Sequence, residues 1–327
     1  MYLSHFFLKR LLGLGSILIT LLLNLSCTKP SELRLNQIQI IGTHNSYHLR
    51  PSREILETRA SLDYGHAPLT AQLEAGVRSF AIDIYQSNEA FRVLHVPRID
   101  EGSNCETFDE CLGEIVAWSN ENPEHIPLIV FIEVKHLNQA IDDLTPMTTD
   151  GIEELESLLW MKIGEDKLLT PDKVRGTESS LEKAVLTTGW PLLDSVRGQI
   201  MVVLNAPERL QAYYTTVSPS LKGRAMFVKT EPGHPEAAVV VSRNAESQET
   251  ADWIEKGYLV RFRADTGAKE ARTNDLAKRD SGLANGCHII TTDFPSVTPH
   301  PETGYAVALE DGKSWRVNPV TGGDYKN

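Results

Sequence analysis

The chain has 327 residues, of which 41% are hydrophobic, 23% charged and 7% aromatic. This is the composition of a globular protein with a full core, and it excludes a disordered, collagen-like or coiled-coil chain. Acidic side chains outnumber basic ones by 44 to 32, which gives a formal net charge of -12. No basic run interrupts this balance, so the sequence argues against nucleic acid as a partner.

The amino-terminal residues form a separate segment. Two basic residues precede an apolar run over residues 11–25, the layout of an export signal, and we predict a signal peptide over residues 1–26. A small residue followed by Cys27 resembles a bacterial lipoprotein cleavage site, which predicts lipidation of Cys27. Asn24 departs from the usual aliphatic residue, so plain cleavage and secretion is the alternative. The protein is therefore expected to be exported, anchored to a membrane and facing the periplasm or cell exterior.

Short apolar runs alternate with amphipathic stretches through the rest of the chain, which is typical of repeated βα units. No linker or repeat divides this region, so we predict one α/β domain, a single TIM-like (β/α)8 barrel over residues 37–300. A short tether (27–36) precedes it and a carboxyl-terminal extension (301–327) follows. The predicted strands are Gln37–Ile41, Val77–Ile84, Phe91–His95, Leu128–Val134, Ile200–Leu204, Ala225–Val228, Ala237–Val241, Tyr258–Phe262 and Ile289–Thr292.

Helix starts are predicted at three places between these strands. Thr107 is a candidate N-cap for an amphipathic helix, and Asp150 is a candidate for a second one. The segment Thr273–Asp275 is predicted to open a third helix, which closes near Gly282 or Gly286.

Three cysteines follow Cys27. In an oxidising compartment Cys105 and Cys111 are predicted to form a local disulfide. A zinc site is the alternative, but the nearest histidines, His95 and His125, do not give a ligand pattern. Cys287 is predicted to be a buried thiol.

Polar residues mark the ends of four predicted strands. They are His44 with Asn45, then Asp83, His95 and Glu133. The carboxyl ends of parallel barrel strands converge on one face, so these side chains are expected to meet there. Both carboxylates, Asp83 and Glu133, lie in apolar strands and need a cation or hydrogen bonds. Oxygen ligands from Asn45, Asp83 and Glu133 suit calcium better than zinc. Six further histidines are predicted to be structural or exposed: His48, His66, His125, His136, His234 and His288.

These motifs resemble a known family. Thr43–Tyr47, Leu128–Glu133 and the strand of Asp83 look like the catalytic X region of phosphoinositide-specific phospholipase C, and the chain is most similar to the bacterial calcium-dependent phosphoinositide phospholipase C family. The likeness runs from about Gln37 to Pro295. Further matching segments are His66–Leu73, Thr170–Gly176, Gly189–Pro191, Arg261–Asp265 and Thr291–Pro295.

The resemblance implies a somewhat distorted (β/α)8 barrel and a role for each strand-end residue. His44 resembles the general base and His95 the general acid, while Asn45, Asp83 and Glu133 resemble calcium ligands. The expected reaction is hydrolysis of phosphatidylinositol-type lipids at a membrane surface, giving diacylglycerol and cyclic or opened inositol phosphate. The attacking group would be the inositol 2-hydroxyl.

One position departs from the family pattern. Ala81 stands where a second acidic ligand is usual, two residues before Asp83, so the resemblance implies a weakened calcium site. Two alternatives to the phospholipase remain, and Ala81 supports only the second of them. One is a glycerophosphodiester phosphodiesterase-like enzyme that acts on soluble diesters. The other is a catalytically impaired lipoprotein that binds a ligand on the same barrel.

Three cationic residues are candidates for binding substrate phosphate. Lys135 lies on the same side of its strand as Glu133, and either reaches a phosphate oxygen or forms a salt bridge with a neighbouring carboxylate. Arg261 and Arg263 share one strand face and contact phosphate or pair with aspartates. The candidate aspartates are Asp83, Asp265 and Asp293.

Overall fold

The computed structural model describes residues 32–323. The predicted signal peptide and Cys27 lie outside these residues, so export and lipidation stay predictions. Between residues 32 and 323, no helix is both long and apolar enough to cross a membrane.

Strands account for the central layer of the fold. In chain order they are β1 (Ile38–Thr43), β2 (Ser79–Ser87), β3 (Phe91–Arg92), β4 (Leu128–Val134), β5 (Leu144–Thr145), β6 (Ile200–Asn205), β7 (Phe227–Val228), β8 (Val239–Ser242), β9 (Leu259–Arg263), β10 (Ile289–Thr292) and β11 (Arg316–Val317).

Eight of these strands are parallel and form the barrel, in the spatial order β7-β6-β4-β2-β1-β10-β9-β8. The barrel closes between β7 and β8 through a single bridge, Lys229 to Val239. Contact between β1 and β2 is also short, with Gly42 opposite Ser79. A Cβ atom on Gly42 would lie 2.8 Å from that of Ser79, so this close approach needs glycine. The predicted barrel is confirmed. The short pairings between β7 and β8 and between β1 and β2 are its distortion.

One predicted strand is not part of the barrel. The segment predicted as Phe91–His95 forms only the short β3, which pairs antiparallel with β2. The chain between Ser87 and Phe91 is too short for the crossover that a parallel neighbour requires, so it turns back as a hairpin. The other eight predicted strands match barrel strands, with ends shifted by at most a few residues.

Helices surround the barrel. They are α1 (Arg53–Thr58), α2 (Leu69–Glu74), α3 (Phe108–Glu121), α4 (Thr149–Ile163), α5 (Pro171–Arg175), α6 (Leu181–Thr187), α7 (Glu208–Val217), α8 (Gln248–Lys256), α9 (Lys269–Thr273) and α10 (Ala277–Ala284).

Side-chain caps fix where these helices begin. Thr107 caps α3 as predicted, since its hydroxyl accepts a hydrogen bond from the Glu110 N–H at 3.3 Å. Helix α4 is capped by Thr148 and not by Asp150, because the Thr148 hydroxyl accepts from the Gly151 N–H at 3.0 Å. The third predicted start is also too early. Helix α10 begins only at Ala277, whose N–H donates to Asp275.

Both ends of the described chain join the barrel. Leu33 and Leu35 are buried, so the folded part begins before residue 37 and includes part of the predicted tether. Near the other end, β11 pairs antiparallel with β1, with Ile38 opposite Val317. Part of the predicted extension is therefore a component of the barrel domain.

A disulfide joins Cys105 to Cys111, with their Cα atoms 5.3 Å apart. It ties the loop before α3 to the first turns of that helix. The same loop carries His95 and Asp100, so the disulfide restricts the segment that bears a predicted site residue. Cys287 is a buried free thiol.

His288 lies in the core below β10, with both ring nitrogens hydrogen-bonded. Its Nδ1 accepts from the Val260 N–H at 3.1 Å, and its Nε2–H donates to the Asn36 carbonyl at 2.9 Å. A second ring proton would face the Val260 N–H, and burial lowers the pKa of His288 from 6.5 to about 4. The ring is therefore neutral in the folded protein at pH 7.

This histidine is expected to make stability fall with acid. Between pH 6.5 and pH 4, His288 binds a proton in the unfolded chain but not in the folded protein. The free energy of unfolding is therefore expected to fall by about 3 kcal/mol over that range. Urea unfolding across this pH range compares His288→Asn with wild type, and the variant is expected to lose about 3 kcal/mol less of its free energy of unfolding. Protonation of the carboxylates affects both proteins alike and cancels in this difference. Parallel stability curves for the two proteins would contradict the assignment.

Candidate active site

His44 follows β1 at the carboxyl end of the barrel, and the backbone there is tightly held. Its N–H donates to the Thr292 carbonyl at 3.0 Å, and the Ser46 N–H donates to the Ala81 carbonyl at 2.8 Å. Between them Asn45 adopts a left-handed conformation with φ of 46°, which asparagine tolerates better than most residues. The turn therefore fixes His44 between two neighbouring strands.

The His44 ring bonds to one acceptor and one donor. Its Nδ1–H donates to Asp293 Oδ1 at 3.0 Å, and Arg263 Nη1 donates to its Nε2 at 3.3 Å. Because the carboxylate only accepts and the guanidinium only donates, the proton of the neutral ring lies on Nδ1. Burial, helped by the charge of Arg263, lowers the pKa of His44 to about 4. His44 is thus a neutral base at pH 7.

Asp293 and Arg263 hold each other as well as His44. Arg263 Nη2 donates to Asp293 Oδ2 at 2.5 Å. Burial would raise the pKa of Asp293, but its contacts with His44 and Arg263 outweigh burial and lower it. Of the two outcomes predicted for Arg263, the structure shows the pairing with an aspartate.

His95 lies beyond the hairpin of β3, not at the end of a barrel strand, yet it reaches the same region. Its Nδ1–H donates to Asp100 Oδ2 at 2.8 Å, and His48 Nε2–H donates to the same oxygen at 2.9 Å. Burial opposes ionisation of Asp100, but these two hydrogen bonds lower its pKa to about 2. The carboxylate thereby orients His95 so that its Nε2 is left for another partner.

A chain of rings connects the two histidines. The Tyr64 ring lies 6.4 Å from that of His44 and 4.3 Å from that of His48, measured between centroids. The His48 ring in turn lies 5.9 Å from that of His95. The structure therefore brings His44 and His95 to one mouth of the barrel, each with its own carboxylate.

Three residues near the site were not singled out from the sequence as functional. They are Asp100, His48 and His66. The His66 Nε2–H donates to the His44 carbonyl at 2.9 Å and supports the backbone of the turn. His48 and His66 are buried, which agrees with the structural role predicted for them. The only local signal for Asp100 is its place at the end of a short turn that returns to His95.

Asp83 and Glu133 lie side by side, because β2 and β4 pair with these two residues in register. Lys135 Nζ lies 3.1 Å from Asp83 Oδ2 and 3.2 Å from Glu133 Oε1. The salt bridge predicted as one alternative for Lys135 is therefore present. Burial raises the pKa of Asp83 to about 6 although the Lys135 ammonium opposes this shift.

The oxygen atoms around this pair fit the chemistry of a calcium site. Asp83 is almost fully buried, and within residues 32–323 its Oδ2 has no partner in good hydrogen-bond geometry, although Lys135 contacts it. The Asn45 amide, in the turn after β1, donates from its Nδ2 to the Tyr64 hydroxyl at 2.9 Å. A carboxylate oxygen with an unused lone pair, a second carboxylate and an amide are ligands that calcium accepts. At Ala81 no carboxylate is available.

Arg261 lines a cavity of about 180 Å³ together with His44, Glu133 and Arg263. Its guanidinium lies over the Phe131 ring at 4.3 Å. Within the described part of the chain, no carboxylate lies at ion-pair distance from it. Burial and the neighbouring Arg263 charge lower its pKa to about 10, so it remains protonated at pH 7. The cavity thus presents, beside His44, an arginine that forms no ion pair with the described residues, which favours binding of an anion.

This parallel (β/α)8 barrel combines at its mouth two carboxylate-paired histidines and an arginine, which are the groups of an acid–base enzyme site. The sequence matches the model of the family described as "Phosphoinositide phospholipase C, Ca2+-dependent" over residues 33–90 and 86–319. The chain belongs to this family, a family of hydrolases, and the resemblance noted from the sequence is confirmed. Curated protein sequences give no match.

Solved structures share the fold. A Ca2+-dependent phosphatidylinositol-specific phospholipase C from Streptomyces antibioticus is 18% identical, with a TM-score of 0.57, covering 80% of this chain and 94% of that one. A calcium-dependent phosphoinositol-specific phospholipase C from Pseudomonas sp is 15% identical, with a TM-score of 0.56, covering 88% of this chain and 96% of that one. The phosphatidylinositol-specific phospholipase C from Listeria monocytogenes is 18% identical, with a TM-score of 0.53, covering 82% of this chain and 92% of that one. At these identities the likeness is one of fold.

Proposed function

We propose that this protein cleaves phosphatidylinositol-type lipids to diacylglycerol and an inositol phosphate, with a cyclic phosphate formed first. The observation that carries the proposal is the pair of histidines at one barrel mouth, each bonded to a carboxylate, beside an arginine that forms no ion pair with a carboxylate of residues 32–323. A base, an acid and an anion site are the groups that this reaction needs.

His44 is the proposed general base. It is neutral at pH 7, and its Nδ1–H is held by Asp293, so the lone pair of Nε2 receives the proton of the inositol 2-hydroxyl. Arg263 donates to this Nε2 in the substrate-free protein, so the hydroxyl must take its place. As the ring gains its proton, Asp293 stabilises the imidazolium, and the deprotonated oxygen attacks the adjacent phosphorus.

His95 is the proposed general acid. The buried carboxylate of Asp100 accepts from its Nδ1–H and stabilises the protonated ring. Nε2 then gives its proton to the diacylglycerol oxygen as the bond from phosphorus to that oxygen breaks. After this step His44 is protonated and His95 is neutral. These are the states required for water to open the cyclic phosphate, with His95 as base and His44 as acid.

Arg261 and Lys135 are the proposed partners of the phosphate. The guanidinium of Arg261 is already beside His44 and needs no rearrangement to meet an anion. Asn45, Asp83 and Glu133 would hold calcium. When bound there, the ion would offset negative charge on the attacking hydroxyl and the phosphate. Because Ala81 supplies no ligand, we propose that this site is weaker than one with a further carboxylate.

Product analysis with two substrates tests the proposal. The purified protein is expected to release inositol phosphate from phosphatidylinositol vesicles and to act far more slowly on glycerophosphoinositol. The reverse preference would establish the glycerophosphodiester phosphodiesterase instead. Binding to the vesicles without turnover, by folded protein at any calcium concentration, would establish the binding lipoprotein.

We also propose that the enzyme is exported and anchored through Cys27. The supporting observation is the sequence of residues 1–27, which ends a short apolar run in a small residue and cysteine. Labelled fatty acid is expected to appear in the wild-type protein and not in Cys27→Ser. Release of both proteins into the medium without label would establish plain secretion.

A further inference from the structure

Lys135 occupies the position between the two carboxylates proposed to hold calcium. Its Nζ lies within 3.2 Å of an oxygen from each of them, Asp83 on β2 and Glu133 on β4. In the described structure these are the ion pairs of Lys135, and they use the oxygens that a metal would need. The ammonium and a divalent cation therefore compete for one place.

The backbone of Lys135 is fixed, whereas its side chain can move. The residue directly follows β4, and its N–H donates to the Ile84 carbonyl at 3.0 Å, which continues the pairing with β2. From this anchor a flexible four-carbon stem carries the ammonium, and the side chain is about a quarter exposed. The stem can swing the charge into the barrel mouth without disturbing either strand.

The charges of the site decide whether calcium binds beside the Lys135 ammonium or in place of it. Two carboxylates and one ammonium leave a net charge of about −1, which calcium would reverse while lying in contact distance of the ammonium. At about 3 Å two like charges repel strongly in a partly buried site. Asp83 also gains from exchange, since its Oδ2 lacks a well-oriented hydrogen bond to Lys135 and calcium does not require one.

We propose that Lys135 is the resident cation of the metal-free site and that calcium binds by displacing it. Lys135 keeps Asp83 and Glu133 together when calcium is absent, and it sets the calcium concentration at which the site fills. This inference rests on the calcium site of the proposed function. It does not depend on turnover, because exchange occurs without substrate.

Calorimetric titration of the purified full-length protein with calcium, without lipid substrate, tests this exchange. Lys135→Met removes the competitor, and we expect calcium to bind at least about tenfold more tightly than to wild type. Lys135→Arg keeps a cation at the position and is expected to bind calcium no more tightly than wild type. Lys162→Met is the matched control, since it removes the same charge from an exposed pair with Asp109 on α3. Its calcium affinity is expected to stay within about twofold of wild type.

Thermal unfolding gives a second readout that does not require a well-behaved titration. Without calcium, Lys135→Met leaves two neighbouring carboxylates unpaired and is expected to unfold at a lower temperature than wild type. Added calcium is expected to raise the unfolding temperature more in this variant than in wild type or Lys162→Met. Lys135→Gln serves in the same way if the methionine variant does not fold.

Two results would overturn the proposal. One is a folded Lys135→Met protein that binds calcium no more tightly than wild type, and the other is the absence of calcium binding from wild type and variant alike. A failure of the proposed lipid cleavage would be seen separately, as missing inositol phosphate release by a protein whose titration still shows the exchange.

Discussion

Replacing His44 with alanine is expected to lower the turnover of phosphatidylinositol by a factor of roughly 10²–10⁴. The reason is that the lone pair of His44 Nε2, beside Arg261 in the same cavity, is the proposed acceptor for the proton of the attacking hydroxyl. The loss should be equally large for a substrate with an aryl leaving group, because attack by the hydroxyl is needed in either case. Steady-state rates on both substrates measure it.

The fold is expected to survive this change. The His44 side chain is a quarter exposed, and Asp293 keeps its ion pair with Arg263 when the ring is removed. His234→Ala, at an exposed histidine away from the barrel mouth, is the matched control and should retain full activity. A His44→Ala protein that is folded and within about threefold of wild type would exclude His44 as the base.

Replacing His95 with alanine is expected to separate the two kinds of substrate. With phosphatidylinositol the leaving alkoxide needs a proton, so turnover should fall by roughly 10²–10⁴. With a 4-nitrophenyl ester of inositol phosphate the leaving phenolate is stable without one, and the loss should be less than about tenfold. Parallel rate measurements on the two substrates give the ratio directly.

His44→Ala supplies the control for this comparison, since it should lose both activities. Equal losses on the two substrates in His95→Ala would show that His95 does not protonate the leaving group. Asp100 would then be only a structural partner of the buried His48, to which it is also bonded.

The apolar runs were sufficient to predict the barrel because parallel strands are buried on both faces. In β4 every residue except Glu133 is buried, so the strand stands out as a continuous apolar stretch. The same criterion failed at Phe91–His95, which has similar residues but too short a connection to β2. Connection length, not strand composition, decided between a barrel strand and a hairpin.

Candidate site residues could be predicted where they lie at strand ends, whereas His95 was predicted through a barrel strand that the structure replaces with a hairpin. His44, Asp83 and Glu133 were found in this way, and barrel geometry brings them together. The carboxylate with which His44 pairs could not be predicted in this way, because the pairing depends on contacts between distant parts of the chain. His44 and Asp293 are 249 positions apart, and nothing in the local sequence distinguishes Asp293 from Asp265 as the partner.

Lys135 shows the same limit. The sequence placed it on the side of Glu133 but left two alternatives, a phosphate contact and a salt bridge. The structure shows the salt bridge and adds that Asp83 takes part in it. That second contact follows from the register of β2 with β4, which the sequence of either strand alone does not determine.

The most direct test of the central claim is the fate of water oxygen during cleavage of phosphatidylinositol. If His44 activates the substrate's own hydroxyl, the first product is a cyclic inositol phosphate. In water enriched in heavy oxygen that product should carry none of the label, and label should enter only when the ring opens. Phosphorus NMR and mass spectrometry of the early products measure both quantities. Cleavage of an analogue that lacks the inositol 2-hydroxyl, giving an acyclic and labelled product, would mean direct attack by water and would contradict the account.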